Sequence, residues 1–164
     1  MPEAVAITVG AERAIVHLKS WVPEPVLPSL VPASLGGDFR VLRVGPGEWL
    51  AVSGLLRGDV LRERLDHYLR GDSVAVLDWS CALKVLRVEG PVARELLVRG
   101  CGLDLHPEQF PVGRCTRTRF AQLPVLIHCT ETKPGFDLYV GRSYFAWLKT
   151  WVEDAAVAFD AATG

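Results

Sequence analysis

Asp78-Trp-Ser-Cys-Ala-Leu-Lys-Val-Leu-Arg-Val-Glu-Gly-Pro91 opens the stretch on which the fold turns. Three further runs complete it: Gly100-Cys-Gly-Leu-Asp-Leu-His-Pro107, Phe110-Pro-Val-Gly-Arg-Cys-Thr-Arg-Thr-Arg-Phe120 and Leu123-Pro-Val-Leu-Ile-His128. Together they read as strand, helix, irregular loop, strand. Leu83–Val88 is rich in branched apolar residues and short enough for a strand. Gly90-Pro91 ends it, and Pro91 suits the first position of a helix, where no N–H is needed. Val92, Leu96 and Leu97 then form an apolar stripe, with Arg94, Glu95 and Arg99 off it. Gly100 stands where a left-handed residue would stop that helix. The loop from Cys101 to Arg114 has no periodicity; loops this long are functional or are ordered packing elements.

Outward from this centre the chain reads as further strands and two more helices. Ala4–Val9 and Ala14–Val22 read as a hairpin joined at Gly10-Ala-Glu. Residues 23–37 carry Pro23, Pro25, Pro28 and Pro32, then Gly36-Gly37, and read as an extended connection. Phe39–Val44 and Glu48–Ser53 flank Pro46-Gly47, the pair a type II turn uses. A helix follows over 59–70, with Val60, Leu61, Leu65, Tyr68 and Leu69 apolar, and Gly71 as its stop. Ser73–Trp79 is a strand. Leu123–Cys129 and Phe136–Val140 form a second hairpin-like pair. A last helix spans 143–159, with Ser143 as N-cap and Tyr144, Leu148, Trp151, Val152, Ala155 and Phe159 as its stripe. Strands and helices mix without strict alternation, so the class is α+β, with mixed or antiparallel sheets and helices on one face.

At 164 residues the chain is one domain or two tightly packed halves. Its net charge of −1 offers no bulk attraction for nucleic acid or a membrane surface. No apolar run reaches bilayer length, and residues 2–10 lack the pattern of a secretory signal. The apolar share of 49% fits either a well-filled core or a surface that meets another chain. The four cysteines, at 81, 101, 115 and 129, include no CxxC pair and read as reduced thiols.

Chemistry-bearing motifs are absent: no Gly-x-Gly-x-x-Gly after a strand, no Walker loop, no His-Glu-x-x-His, no Gly-x-Ser-x-Gly. Cys101, His106 and Cys115 match no standard zinc spacing, and the two cysteines read as packing residues. Asp104 reads as a turn-closing acid and Asp78 as an isolated one. The five tryptophans read as core or interface anchors. Arg114, Arg117 and Arg119 are the candidate site. On a strand, Arg117 and Arg119 share a face with Cys115 and offer two guanidinium groups to a partner's acids. No catalytic, cofactor-binding or metal-ligating residue is assigned.

The central runs, with Gly45-Pro-Gly-Glu-Trp-Leu50 upstream and Phe136-Asp-Leu-Tyr-Val140 with Arg142-Ser-Tyr144 downstream, resemble the gamma subunit of heterotetrameric sarcosine oxidase. The resemblance covers about residues 38–160 and leaves 1–37 poorly matched, so two segments are expected: 1–37, a hairpin and proline-rich connection, and 38–164, the gamma-like domain. It implies ferredoxin-like α+β pieces like the folate-binding domain of glycine-cleavage aminomethyltransferases. It implies a cytoplasmic complex with alpha, beta and delta subunits. That complex would oxidise sarcosine to glycine and pass the one-carbon unit to tetrahydrofolate. FAD, FMN, NAD and zinc would lie in the partner subunits and none in this chain. A free-standing folate-binding domain, and an accessory subunit of a related N-methyl amine oxidase or dehydrogenase, stay open.

Overall fold

The structure, a computed structural model, describes residues 5–11, 14–21, 39–70, 73–131 and 134–160. Its strands run β1 (Ala6–Val9), β2 (Ala14–Ser20), β3 (Arg40–Gly45), β4 (Glu48–Ser53), β5 (Val74–Asp78), β6 (Leu83–Glu89), β7 (Cys115–Phe120), β8 (Leu123–Glu131) and β9 (Gly135–Gly141). Helix α1 spans Gly58–Tyr68, α2 Ala93–Val98 and α3 Phe145–Asp160. The expected proline-rich connection over 23–37 and the expected stop at Gly71 lie outside the described residues. The chain divides into two compact units, residues 11–83 and residues 1–10 with 84–164.

The unit of residues 11–83 holds a four-stranded sheet in the order β3-β4-β2-β5. β3 and β4 form the expected hairpin, with Leu42 opposite Leu50 and Gly47 at φ +63° in the turn. The apolar face of the sheet carries Ala14, Val16, Leu18, Trp49 and Ala51. Helix α1 covers that face with Leu61 and Leu65, and Leu69 at its C-cap continues the spacing of four. Each fully buried leucine contributes about 1.5–3 kcal/mol. The expected stripe was too wide, since Val60 and Tyr68 are exposed. Gly58 begins the helix against the Asp78 carboxylate; a Cβ there would lie 2.6 Å from both carboxylate oxygens. The position suits an acid, because the first turn of a helix carries partial positive charge. Asp78 Oδ1 also accepts bonds from the Ser80 N–H (2.9 Å) and hydroxyl (2.5 Å), so this isolated acid has a structural task.

The unit of residues 1–10 and 84–164 holds a five-stranded sheet, β1-β6-β9-β8-β7. The expected β1–β2 hairpin does not form. β1 pairs antiparallel with β6, Ile7 opposite Val88, while β2 pairs with β4 and β5. Alternating apolar residues mark a strand but not its partner. β2 lies inside its sheet between β4 and β5, and its residues Ala14, Ile15, Val16, His17 and Leu18 are buried on both faces.

One face of this second sheet is built at period two from Leu86 and Val88, Val125, Ile127 and Cys129, and Phe136, Leu138 and Val140. α2 seats Ala93, Leu96 and Leu97 on it, and α3 seats Phe145, Leu148 and Val152. Two local expectations are corrected here. α2 starts at Ala93 with Val92 as cap, so Pro91 precedes the helix rather than opening it. A 3-10 turn, Arg142–Tyr144, precedes α3, and no Ser143 side-chain cap forms. Phe145 then fills the core position expected of Tyr144, which is 47% exposed.

Gly100 is not left-handed either, as positive φ among the described glycines falls at Gly47, Gly90 and Gly113. Its lack of a side chain matters for a different reason. A Cβ at Gly100 would stand 2.4–2.9 Å from ring atoms of Phe120, which is wholly buried.

Candidate partner-binding site

The loop 101–114 is ordered by its own bonds and by one arginine. The Asp104 carboxylate accepts the His106 N–H at 2.9 Å, the turn-closing role expected of it. The His106 carbonyl accepts from Gln109 (2.9 Å) and Phe110 (2.7 Å). Leu105 and Phe110 are buried in the core of the unit. Arg94, on α2, reaches under the loop. Its Nη1 donates to the carbonyls of Leu105 and Phe110, the latter at 3.3 Å, and its Nη2 lies 3.6 Å from Cys129 Sγ. The guanidinium also stands 5.1 Å from the Phe136 ring centroid. Gly113, at φ +84°, donates to the Cys129 carbonyl (2.8 Å) and leads the chain into β7.

β7 and β8 form a tight hairpin. Phe120 faces Leu123 across Ala121 and Gln122, whose φ values of +46° and +70° are those of a type I′ turn. The Ala121 N–H donates to the Gly100 carbonyl at 2.7 Å, tying the turn to the end of α2. In such a hairpin the residues flanking the turn exchange hydrogen bonds, and the exchange recurs at every second pair. Phe120, Thr118 and Thr116 therefore bond β8. Arg119, Arg117 and Cys115 turn their N–H and C=O groups away from it.

The three candidate arginines are all exposed. The strand puts Arg117 and Arg119 on one face with Cys115, as alternation requires. Arg119 Nη2 donates to Gln122 Oε1 at 2.9 Å, and the Arg114 guanidinium lies 5.9 Å from the Phe110 ring centroid. β7 is an edge of its sheet, with β8 as its one neighbour among the described residues.

Cys101, His106 and Cys115 are not brought together; among the described residues no three His, Cys, Asp or Glu side chains form a metal-ligand group. Burial pushes the Cys115 thiol up to about 12, opposed by Arg117 and reinforced by Asp137. Burial also raises the Cys101 thiol, opposed by the Leu103 backbone N–H. Cys81 is exposed. A disulfide reagent at pH 8 is therefore expected to label Cys81 first and Cys115 only on unfolding, because the thiolate is the attacking form. Cys115 modified as fast as Cys81 would contradict the assignment. The sign of the linkage is set by the raised value. Native Cys115 holds its proton where the unfolded thiol has lost it, so its contribution to stability is complete below pH 9 and is lost as pH rises toward 12.

The structure also places groups that pattern reading passed over. Asp137, on β9, is wholly buried and takes a bidentate pair from Arg87 on β6: Nε to Oδ1 at 2.8 Å and Nη2 to Oδ2 at 3.0 Å. The tryptophans divide. Trp49 is core, Trp151 packs edge-on to Phe120 and Trp79 stacks on His17 at 4.0 Å, while Trp21 and Trp147 are exposed. No helix among the described residues is long and apolar enough to cross a membrane.

Two sheets with helices on one face of each are the α+β architecture of aminomethyltransferase T of the glycine cleavage system from Bartonella henselae. That structure aligns with a TM-score of 0.65 over 91% of this chain and 45% of its own, at 14% identity, a likeness of fold alone. The fold is shared more closely, at TM-score 0.83 and 28% identity over 97% of this chain, with a chain of heterotetrameric sarcosine oxidase from Corynebacterium sp. U-96, solved with pyrrole 2-carboxylate; 87% of that chain is covered. Sequence agrees. The model of the sarcosine oxidase, gamma subunit family matches residues 8–158. Sarcosine oxidase subunit gamma of Corynebacterium sp. (strain U-96) is 33% identical over 138 residues, 80% of this chain and 66% of that protein. The chain belongs to the sarcosine oxidase gamma subunit family. The match begins at residue 8, inside the segment 1–37 that the motifs match poorly. The chain spans 59–66% of the length of the curated relatives it matches.

Proposed function

We propose that this chain is the non-catalytic gamma subunit of a sarcosine oxidase-type complex. Its partners would be alpha, beta and delta chains that carry FAD, FMN, NAD and zinc. The complex would work in the cytoplasm, demethylating sarcosine oxidatively to glycine and passing the one-carbon unit to tetrahydrofolate. The observation that carries this reading is the family match over residues 8–158, supported by the fold it shares with a chain of a heterotetrameric sarcosine oxidase. Arg114, Arg117 and Arg119 are the proposed contact with the partner chains. All three are exposed, and a guanidinium can hold a carboxylate through two parallel bonds.

The test is affinity capture of the tagged chain from its native host, followed by a visible spectrum. Large flavin-bearing chains are expected in the eluate, with turnover of sarcosine. Turnover of a different N-methyl compound alone would favour the accessory subunit of a related oxidase or dehydrogenase. A monomeric, stable, colourless chain that recruits nothing and binds tetrahydrofolate would replace the subunit reading with a free-standing folate-binding domain.

A further inference from the structure

We propose that the outer edge of β5 is a pairing edge for a second copy of this chain, joined antiparallel about a two-fold axis at Val76. The inference goes beyond the subunit reading, and it concerns the other sheet from the one that carries the candidate arginines. β5 is terminal in its sheet, with β2 as its one neighbour among the described residues. Two bonds fix which backbone groups β2 takes. The Trp21 N–H donates to the Ser73 carbonyl at 3.3 Å, and the Trp79 N–H donates to the Ile15 carbonyl at 2.8 Å. Bonding recurs at every second pair of an antiparallel ladder. Ser73, Ala75, Leu77 and Trp79 therefore bond β2, while Val74, Val76 and Asp78 turn their N–H and C=O groups outward. An added strand would find alternate donors and acceptors already spaced to receive it.

This edge lacks the usual guards. Natural edge strands carry charges, prolines or bulges that discourage pairing. β3 carries Arg40 and Arg43 with a bulge after Arg43, and β7 carries Arg117 and Arg119. From Ser73 to Leu77 the chain has no charge and no proline, and the β2–β5 register runs without a shift. Asp78 is the first charge, and its Oδ1 already accepts from the Ser80 N–H and hydroxyl. Large apolar side chains stand exposed beside the edge, Leu77 at 49% and Trp21 at 69%.

The edge is also complementary to itself, which selects the occupant. A two-fold axis at Val76 sets Val76 against Val76 and Val74 against Asp78, all residues whose backbone groups point outward. It sets the exposed Leu77 against the small Ala75 on one face, so a large side chain meets a small one twice over. The two Asp78 carboxylates are not opposed, and so the pairing avoids the like-charge cost that a sheet incurs when equal charges face each other. Valine at the centre suits such a ladder, since β-branched residues pack well on a pleated surface.

A ladder of five residues is a small interface, so the dimer is expected to depend on concentration. The test is sedimentation of the full chain from about 1 µM to about 1 mM, with a shift from one copy to two expected across that range. Leu77→Lys is expected to weaken the association at least 10-fold, while Leu77→Met keeps most of it. Val76→Pro removes an outward N–H that β2 does not use, and is expected to abolish the dimer. Thermal melting of each variant checks that the fold is intact. Amide hydrogen exchange with residue-level fragmentation gives a readout on the wild-type chain. The Val74 and Val76 amides are expected to slow as the concentration rises, toward the rates of Ala75 and Leu77. A chain that stays monomeric to the top of the range would overturn the proposal. So would a dimer that neither folded variant weakens, or one whose Val74 and Val76 amides exchange as fast as in the monomer. Slowing of those amides only inside a flavin-bearing complex with one copy of this chain would assign the edge to a partner subunit instead. None of these outcomes bears on the subunit reading, which stands or falls with the capture of flavin-bearing chains.

Discussion

Arg87→Met is expected to cost about 3–5 kcal/mol of unfolding free energy, the usual loss when one member of a buried ion pair is removed. Methionine fills much of the volume, so the loss reports electrostatics more than a cavity. The Asp137 carboxylate is 0% exposed and would be stripped of a bidentate cation bound at 2.8 and 3.0 Å. Arg87 itself keeps partial access to water and lies 3.7 Å from Glu89, so the reciprocal change at Asp137 is expected to be milder. A loss of this size is a large part of the roughly 5–15 kcal/mol that holds a domain folded. The double variant Arg87→Met with Asp137→Leu should recover most of it, since an apolar pair can replace a buried salt bridge at little cost. Urea titration of the three chains measures both effects. A single-variant loss below about 1 kcal/mol would show that water reaches the carboxylate.

The second large effect is expected at Arg94. Arg94→Met should cost about 2–4 kcal/mol, because bonds from a charged donor are each worth about 1.5–3 kcal/mol and two loop carbonyls lose theirs together. The loss should be local as well as global. With Leu105 and Phe110 no longer tied to α2, the loop should open more often, and trypsin should cut faster after the exposed Arg114. Arg94→Lys should rescue little, since one ammonium cannot span two carbonyls and the Cys129 sulfur as a planar fork does. Unchanged cleavage at Arg114 in a destabilised Arg94→Met chain would show that the loop is held by its buried side chains alone.

These two arginines mark the limit of what pattern could reveal. Arg94 sits off an apolar stripe and has the look of a solvated surface charge; only the loop folding back over α2 gives it carbonyls to bind. Arg87 and Asp137 lie 50 positions apart in the chain, and each interrupts a strand pattern without naming the other. What local chemistry dictates was legible. Pro46-Gly47 announced its turn, Leu61, Leu65 and Leu69 their helix, and the alternation of 115, 117 and 119 the shared face of the candidate arginines. Partner choice was not. β1 and β2 read as neighbours because they are close in sequence, but β2 pairs with β4 and β5 inside another sheet, and alternation alone does not name a partner. The β7–β8 turn was hidden for a related reason. Ala121-Gln122 lacks the Asn-Gly or Asp-Gly signature, and its left-handed backbone is sustained by the surrounding ladder and by the bond to Gly100. Gly100 looked like a helix stop, and its function is to make room for a ring twenty residues away.

The pairing of β1 with β6 sets a timetable for synthesis. Ala6–Val9 leave the ribosome long before Leu83–Glu89, the strand they must lie against, has been made. At about 5–20 residues per second the wait is roughly 4–15 s. During it, residues 11–83 can close their own sheet and bury α1, so that unit is the first able to finish. Ile7 and Val9 stay without their β6 partners through that interval. The sheet that carries the arginine edge is thus completed last, from segments on either side of residues 11–83.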